Sequence, residues 1–330
     1  PEVGEEGRVT FRLKAPDARE VKLTGDWMPQ EGYGRATVAM EKGVDSVWTY
    51  TTGSLPSELY WYHFIVDGVR TLDPANAHMI RDVASVFNIL IVPGDKGELY
   101  SVQSVPHGTV HRRWYDSPSL EMKRRITIYL PPGYEDSDQE YPVLYLLHGA
   151  GGDEEAWSDL GRATQILDNL IASGMAKPMI VVMPNGNASD EAAPGKASGP
   201  LLQPTFMKPG IMGGSYVTSF GDIISFVESN YRVRADKAHR AVAGLSMGGF
   251  HSLHISRYHP ETFDYIGLFS PGITPRSNPE SAVFQNMDKS LKTQMDNGYE
   301  LYWIAIGRED FLFDEVSAFR NRLDGLNMPY

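Results

Sequence analysis

The sequence predicts two folded regions of different class: an all-β sandwich over residues 1–104, then an α/β domain with a mostly parallel sheet over 105–330. Apolar residues alternate with polar ones in the first region, the period of half-buried strands. Short apolar runs alternate with helical stripes in the second, the order that builds a parallel sheet flanked by helices. A Pro- and Gly-containing stretch near residue 105 separates the two patterns.

In the first region Val9, Phe11 and Leu13 alternate in GRVTFRLKAPD, and Val21 and Leu23 do so in EVKLTGDW. LYWYHFIVDGVRTLDP sets Asp67-Gly68 as a two-residue hairpin turn after a long aromatic run, and SVFNILIVPG supplies a further strand. No helix-period segment interrupts them, so a β-sandwich is the economical reading. The stretch VPGDKGELYSVQSVPHGTVHRRWYDSPSLEMKR then reads as a linker.

From RRITIYLPPGY onward, apolar runs occupy Val143–Leu147, 180–183, 241–245, Tyr265–Phe269 and 301–306. Each is followed by polar or Gly residues, as buried parallel strands require. Between them Leu160, Ile166, Leu167, Leu170 and Ile171 form one helical stripe, and Phe220, Ile223, Ile224, Val227 and Tyr231 another. Val316, Phe319 and Leu323 form a third that stops at Gly325. In such sheets ligands bind beyond the carboxyl ends of the strands.

Composition narrows the function. With 42 acidic against 30 basic residues the formal charge is -12, which repels nucleic acid and anionic membrane surfaces. Cysteine is absent, which excludes disulfides, thiolate metal sites and a cysteine nucleophile. No apolar run approaches the roughly 18 residues that span a bilayer. The chain opens on Pro1, so a removed signal is compatible with it.

The chemistry centres on RAVAGLSMGGFHS, where Gly244, Ser246 and Gly248 form G-x-S-x-G. The triplet alone is a weak signal, but it follows an apolar run and precedes a helical stretch. That is the strand-turn-helix setting of a nucleophile elbow, with glycines where the turn leaves no room for a Cβ. A serine N-cap with glycines easing a turn is the plain alternative. LLHGAGGDEEAW ends a second strand in His-Gly and small residues, so backbone amides at Ala150 and Met247 are candidates for an oxyanion hole. Such donors are worth about 3 kcal/mol each. His148 is expected to orient that loop, and Trp157 and Gly149 are candidate substrate contacts.

Asp310, in IGREDFLFDEV, lies 64 residues after Ser246 and just past the last apolar run, in the order Ser, Asp, His of α/β-hydrolases. Glu309 and Asp314 are rivals, and a solvated charge run is the plain alternative. The base is the gap. The nine histidines are His63, His78, His107, His111, His148, His239, His251, His254 and His259, and none follows Asp310. His251, His254 and His259 invite a metal reading, since i and i+3 share a helix face, but without an H-E-x-x-H pattern they read as packing or surface residues and not as metal ligands.

Taken together, YLPPGY, YLLHGAGGDEEAW, VVMPNGNA, DIISFVESNYRV, AVAGLSMGG and FDYIGLFSPG resemble the esterase D-like α/β-hydrolases of carbohydrate esterase family 1, over about residues 106–330. That family includes feruloyl, acetylxylan and enterochelin-type esterases. KAPDAREVKLTGDW and FIVDGVRTLDPAN are similar to the immunoglobulin-like sandwich related to starch- and glycogen-binding modules.

The resemblance implies Ser246 as nucleophile, Asp310 as acid, and Ala150 and Met247 amides as oxyanion donors. It implies a catalytic histidine in a Gly-Gly-His type loop, which this sequence does not contain, and so places the expected base beyond residue 330 with the family's last strand and helix. No cofactor is implied, and a secreted or periplasmic location is. The expected function is removal of feruloyl or acetyl groups from xylan through an acyl-enzyme, on a polysaccharide-linked or small aromatic ester. A polysaccharide-binding protein with an inactive esterase domain and a siderophore esterase are the alternatives. The stretch GNASDEAAPGKASGPLLQPTFMKPGIMGG is too long for an ordinary connection and is expected to fold over the site.

Overall fold

The computed structural model describes residues 1–32, 34–199, 204–206, 208 and 210–330. The chain divides into two compact units, Pro1–Val105 and Pro106–Tyr330.

The first unit is all-β apart from short helical turns. Its principal strands are β1 (Arg8–Lys14), β2 (Val21–Gly25), β3 (Val47–Ser54), β4 (Glu58–Val66), β5 (Met79–Asp82) and β6 (Ser85–Val92). β1 and β3 pair antiparallel in one sheet, and β5, β6, β4 and β2 pair in that order in a second. Val9, Phe11 and Leu13 from one sheet meet Val21, Leu23, Tyr62 and Phe64 from the other in a single buried cluster. The alternation seen in the sequence is therefore the inward face of a sandwich.

The stretch read as a linker is more ordered than that reading. It holds a helix, Asp95–Tyr100, and the nine-residue strand β7 (Thr109–Ser117), which pairs antiparallel with β8 (Met122–Leu130). The helix also corrects the expectation that no helix interrupts the first region. β7 escaped notice because it is a sheet edge: most of its residues face solvent, and His111, Arg112 and Arg113 break the apolar alternation.

The second unit is built on a seven-stranded sheet ordered β7-β8-β10-β9-β11-β12-β13, with β9 at Val143–Leu147, β10 at Ile180–Pro184, β11 at Arg240–Leu245, β12 at Tyr265–Phe269 and β13 at Leu301–Ala305. β10, β9, β11, β12 and β13 run parallel. Helices α1 (Ala163–Ala172), α2 (Phe220–Asn230), α3 (Met247–Tyr258), α4 (Met287–Asp296) and α5 (Phe313–Gly325) flank the sheet.

The strands read as continuous apolar runs because both faces are covered. Tyr145 and Leu147 join α2, α3 and α5 in the main core, while Leu146, Val181 and Met183 pack with α1 on the other face. Each such side chain contributes roughly 1.5–3 kcal/mol. Every residue of α3 from Met247 to Arg257 is buried, so the segment after Ser246 cannot slide without opening the core. No described helix is long and apolar enough to cross a membrane.

Candidate active site

Ser246 occupies the one-residue turn between β11 and α3 at φ 55°, ψ −109°, a conformation strained for any residue with a Cβ. Its backbone is clamped on three sides. Ser246 N–H donates to the Phe269 carbonyl at 2.9 Å, and the Ser246 carbonyl accepts from Phe250 and Gly272 N–H groups at 3.0 and 3.1 Å. The side chain is half-buried, within reach of a ligand. The flanking glycines are sterically required: a Cβ on Gly244 would lie 2.3 Å from the Gly248 carbonyl carbon, and one on Gly248 would lie 2.2 Å from the Leu147 oxygen.

The loop after β9 reaches the same point. A Cβ on Gly149 would be 3.6 Å from the Ser246 Cβ, so Gly149 passes directly beside the serine. Among the described residues, the Ala150 and Met247 N–H groups have no backbone acceptor, and Met247 opens α3, where such amides are orphaned and the helix dipole is positive. His148 holds the loop in place. Its Nδ1–H donates to the Gly149 carbonyl at 2.7 Å, and its Nε2 accepts the Gly186 N–H at 2.8 Å. Those partners fix a neutral tautomer, and burial depresses its pKa in the same sense.

A polar network that sequence reasoning missed supports this loop. Arg124, fully buried on β8, donates to the carbonyls of Asn185, Asn187 and Asp190 and so shapes the turn after β10. Asn187 Nδ2 donates to the Gly152 carbonyl at 3.0 Å. Glu154, also fully buried, accepts from Asn185 Nδ2 at 3.1 Å and from Ala193 N–H at 2.9 Å, and burial pushes its carboxyl up to about 7. The only sequence signal was the polar residues in RRITIYL and MPNGNA, which look like ordinary strand and loop residues.

Asp310 follows β13 and is half-buried. Its Oδ1 accepts the Leu312 N–H at 2.9 Å, closing the turn that starts α5, and its Oδ2 has no partner among the described residues. Glu309 and Asp314 are exposed. Leu245 pairs with Phe269 and Phe269 with Ala305, so β11, β12 and β13 end level, and Ser246 and Asp310 leave the same edge of the sheet. Glu315 pins the intervening loop by accepting Ile273 and Thr274 N–H groups at 3.1 and 2.6 Å.

Trp157 belongs to the second core cluster of this unit. It packs partly buried against Leu146, Ala163 and Met183 on the α1 face. Among the described residues, no histidine hydrogen-bonds the Ser246 hydroxyl. His107 bonds Asp168 at 2.9 Å, His239 bonds Asp236 at 2.7 Å, and His254 pairs with Arg257 at 2.6 Å inside α3. No three His, Asp or Glu side chains among the described residues are grouped to hold a metal ion. Of the long segment expected over the site, residues 200–203, 207 and 209 lie outside the described residues.

The Esterase family model matches residues 117–315. An endo-1,4-beta-xylanase/feruloyl esterase of Xylanibacter ruminicola is 33% identical over 282 residues, covering 82% of this chain and 36% of that protein. An esterase of Mycobacterium tuberculosis is 33% identical over 147 residues, 43% of this chain and 28% of its own. The chain thus spans about a third of the length of the curated relatives it matches.

A solved ferulic acid esterase superimposes with a TM-score of 0.54 at 28% identity, covering 68% of this chain and 88% of that one. The enterobactin esterase of Shigella flexneri shares the fold over 96% of this chain and 84% of its own, with a TM-score of 0.64 at 16% identity. The elbow at Ser246, set in a mostly parallel sheet, lies within the matched segment. The chain belongs to the esterase D-like α/β-hydrolases of carbohydrate esterase family 1, a family of carboxylic-ester hydrolases.

Proposed function

We propose that this chain is the esterase portion of an enzyme that removes feruloyl or acetyl groups from xylan. The observation that carries the reading is the strained Ser246 flanked by two amides without backbone acceptors, Ala150 and Met247. The Ser246 hydroxyl attacks the ester carbonyl, giving its proton to a base, and the two amides receive the developing oxyanion. The carbonyl then re-forms, the protonated alcohol leaves, and water hydrolyses the acyl-serine by the same steps in reverse order.

In this reading the base is a histidine oriented by Asp310 Oδ2. The acyl preference rests on similarity to proteins named as feruloyl esterases. A polysaccharide substrate implies export from the cytoplasm.

A carbohydrate-binding role for the first unit is supported by an aromatic shelf on the outer face of β4 and β6. Trp61 lies 4.4 Å from Phe87 and stacks at 6.1 Å on His63, in a groove of about 530 Å³. Rings of this kind present flat apolar faces to sugar rings.

The test is organophosphonate labelling and turnover of methyl ferulate and acetylated xylan by the full-length protein. Labelling at Ser246 with hydrolysis of either ester supports the reading. Absence of both sinks it, and xylan binding without hydrolysis indicates a binding protein.

A further inference from the structure

A cleft of about 210 Å³ lies beyond the carboxyl end of β10, against α3. The proposed acid lies on the other side of the elbow, past β12, because β10 and β13 are on opposite sides of β11 in the sheet. Asn187, Tyr216 and His251 line the cleft, each at least 96% buried at 4%, 2% and 2% exposure. Asn187 Oδ1, Tyr216 Oη and His251 Nδ1 have no hydrogen-bond partner among the described residues and are almost wholly buried just behind the cleft wall. Buried polar atoms left unpaired cost roughly 1–3 kcal/mol each, so three on one cleft call for an occupant.

The cleft adjoins the reaction centre. His251 is one helical turn beyond Met247, and a Cβ on Gly186 would sit 3.3 Å from His251 Nδ1 and 3.4 Å from His148 Nε2. Only a glycine separates it from the histidine that holds the oxyanion loop.

Its chemistry suits neutral hydroxyls. Burial keeps the His251 imidazole and the Tyr216 phenol uncharged, so each can donate or accept. Lys208, at the rim, is already ion-paired with Asp190. Leu120, Ile211 and Met212 complete the walls with apolar surface. Groups that both donate and accept, beside an apolar wall, match a sugar ring. On the far side, Phe311, next to Asp310 and 85% exposed, offers apolar surface that matches an acyl group instead.

We propose that this cleft is the alcohol-side subsite of the esterase: it takes a hydroxyl-bearing pentose ring of the substrate, and small side-chain rotations on its entry bring the unpartnered atoms of His251, Tyr216 and Asn187 onto its hydroxyls. The inference rests on the ester-hydrolase reading and adds which side of Ser246 holds the sugar.

The test uses a Ser246→Ala background, which cannot turn over, and two separate probes followed by NMR: methyl α-arabinofuranoside and methyl ferulate. The sugar is expected to bind and to perturb the His251 ring signals. Ala188→Leu fills the cleft from a partly buried position, and Ser189→Tyr blocks it from an exposed one. Either is expected to weaken the sugar at least tenfold and leave methyl ferulate unchanged. No perturbation of His251 by the sugar, or sugar binding that survives both substitutions, overturns the subsite and leaves the cleft to ordered water. Failure of methyl ferulate to bind, with the sugar still bound, counts against the feruloyl preference alone.

Discussion

The Gly186 N–H donates to His148 Nε2 at 2.8 Å, while His148 Nδ1–H donates to Gly149 in the loop beside Ser246. One neutral imidazole therefore ties the oxyanion loop to the turn after β10. His148→Phe keeps the bulk and removes both bonds. Removing an oxyanion donor costs 10²–10³ in kcat, so a displaced loop is expected to lower kcat about 100-fold, with KM within about threefold. Steady-state hydrolysis of p-nitrophenyl acetate checks it, and a loss confined to KM would contradict the assignment.

Ser246 is held at positive φ, and a Cβ there stores of order 1–3 kcal/mol. Ser246→Ala and Ser246→Gly both remove the hydroxyl and are expected to abolish turnover. Only the glycine variant relieves the backbone, so it should be more stable than the alanine variant by about 1 kcal/mol. Urea denaturation of the two compares them directly, and equal stabilities would mean that the turn is unstrained.

The glycines of the elbow make a sharper contrast. Gly248→Ala drives a Cβ to 2.2 Å from the Leu147 oxygen, a backbone atom in the sheet that cannot move away. It is expected to lower Tm by more than about 5 °C or to prevent folding. Gly221, in α2, has open space where a Cβ would sit, with nothing within 4 Å, so Gly221→Ala should raise stability by about 0.5–1 kcal/mol. A thermal melt of both variants reports the difference.

Asp310 uses one carboxylate oxygen on Leu312 N–H and leaves the other unpaired. Asp310→Asn keeps the turn and offers an amide where an imidazole N–H needs an acceptor. In a serine protease the equivalent change costs about 10⁴ in kcat with geometry intact. A loss of at least about 10³ with unchanged Tm is expected here in the full-length protein, against less than twofold for Glu309→Gln. Reversal of that order would move the acid to Glu309.

These contrasts explain what could be read in advance. Strands such as Val143–Leu147 were legible because both faces are buried, so every position is apolar. The Ser246 elbow was legible because steric exclusion leaves a glycine signature. Arg124 and Glu154 were not, because their role is to satisfy carbonyls and amides of loops distant in sequence, and nothing in a local window distinguishes a buried arginine from a surface one.

Glu154 carries the pH dependence. Burial raises its folded pKa from 4.5 to about 7. Between those values the native state keeps a proton that the unfolded chain has released. Its contribution is therefore full below pH 4.5 and is lost as pH rises through 7, a swing of about 3 kcal/mol at 1.36 kcal/mol per unit. His251 works in the opposite sense. Its folded pKa is lowered from 6.5 to about 3, so stability is present above 6.5 and falls as acid protonates the unfolded chain. Glu154→Gln removes the first effect and keeps the second. It also turns an NH₂ toward the Asn185 or Ala193 donor, which lowers its stability at every pH by a roughly constant amount. Urea denaturation of the full chain from pH 5 to pH 8 should show the gap between Glu154→Gln and the parent shifting by about 2.5 kcal/mol in favour of the variant. Parallel curves would mean that Glu154 is ionised throughout, with Arg125 Nη1, 3.8 Å away, as its counter-ion.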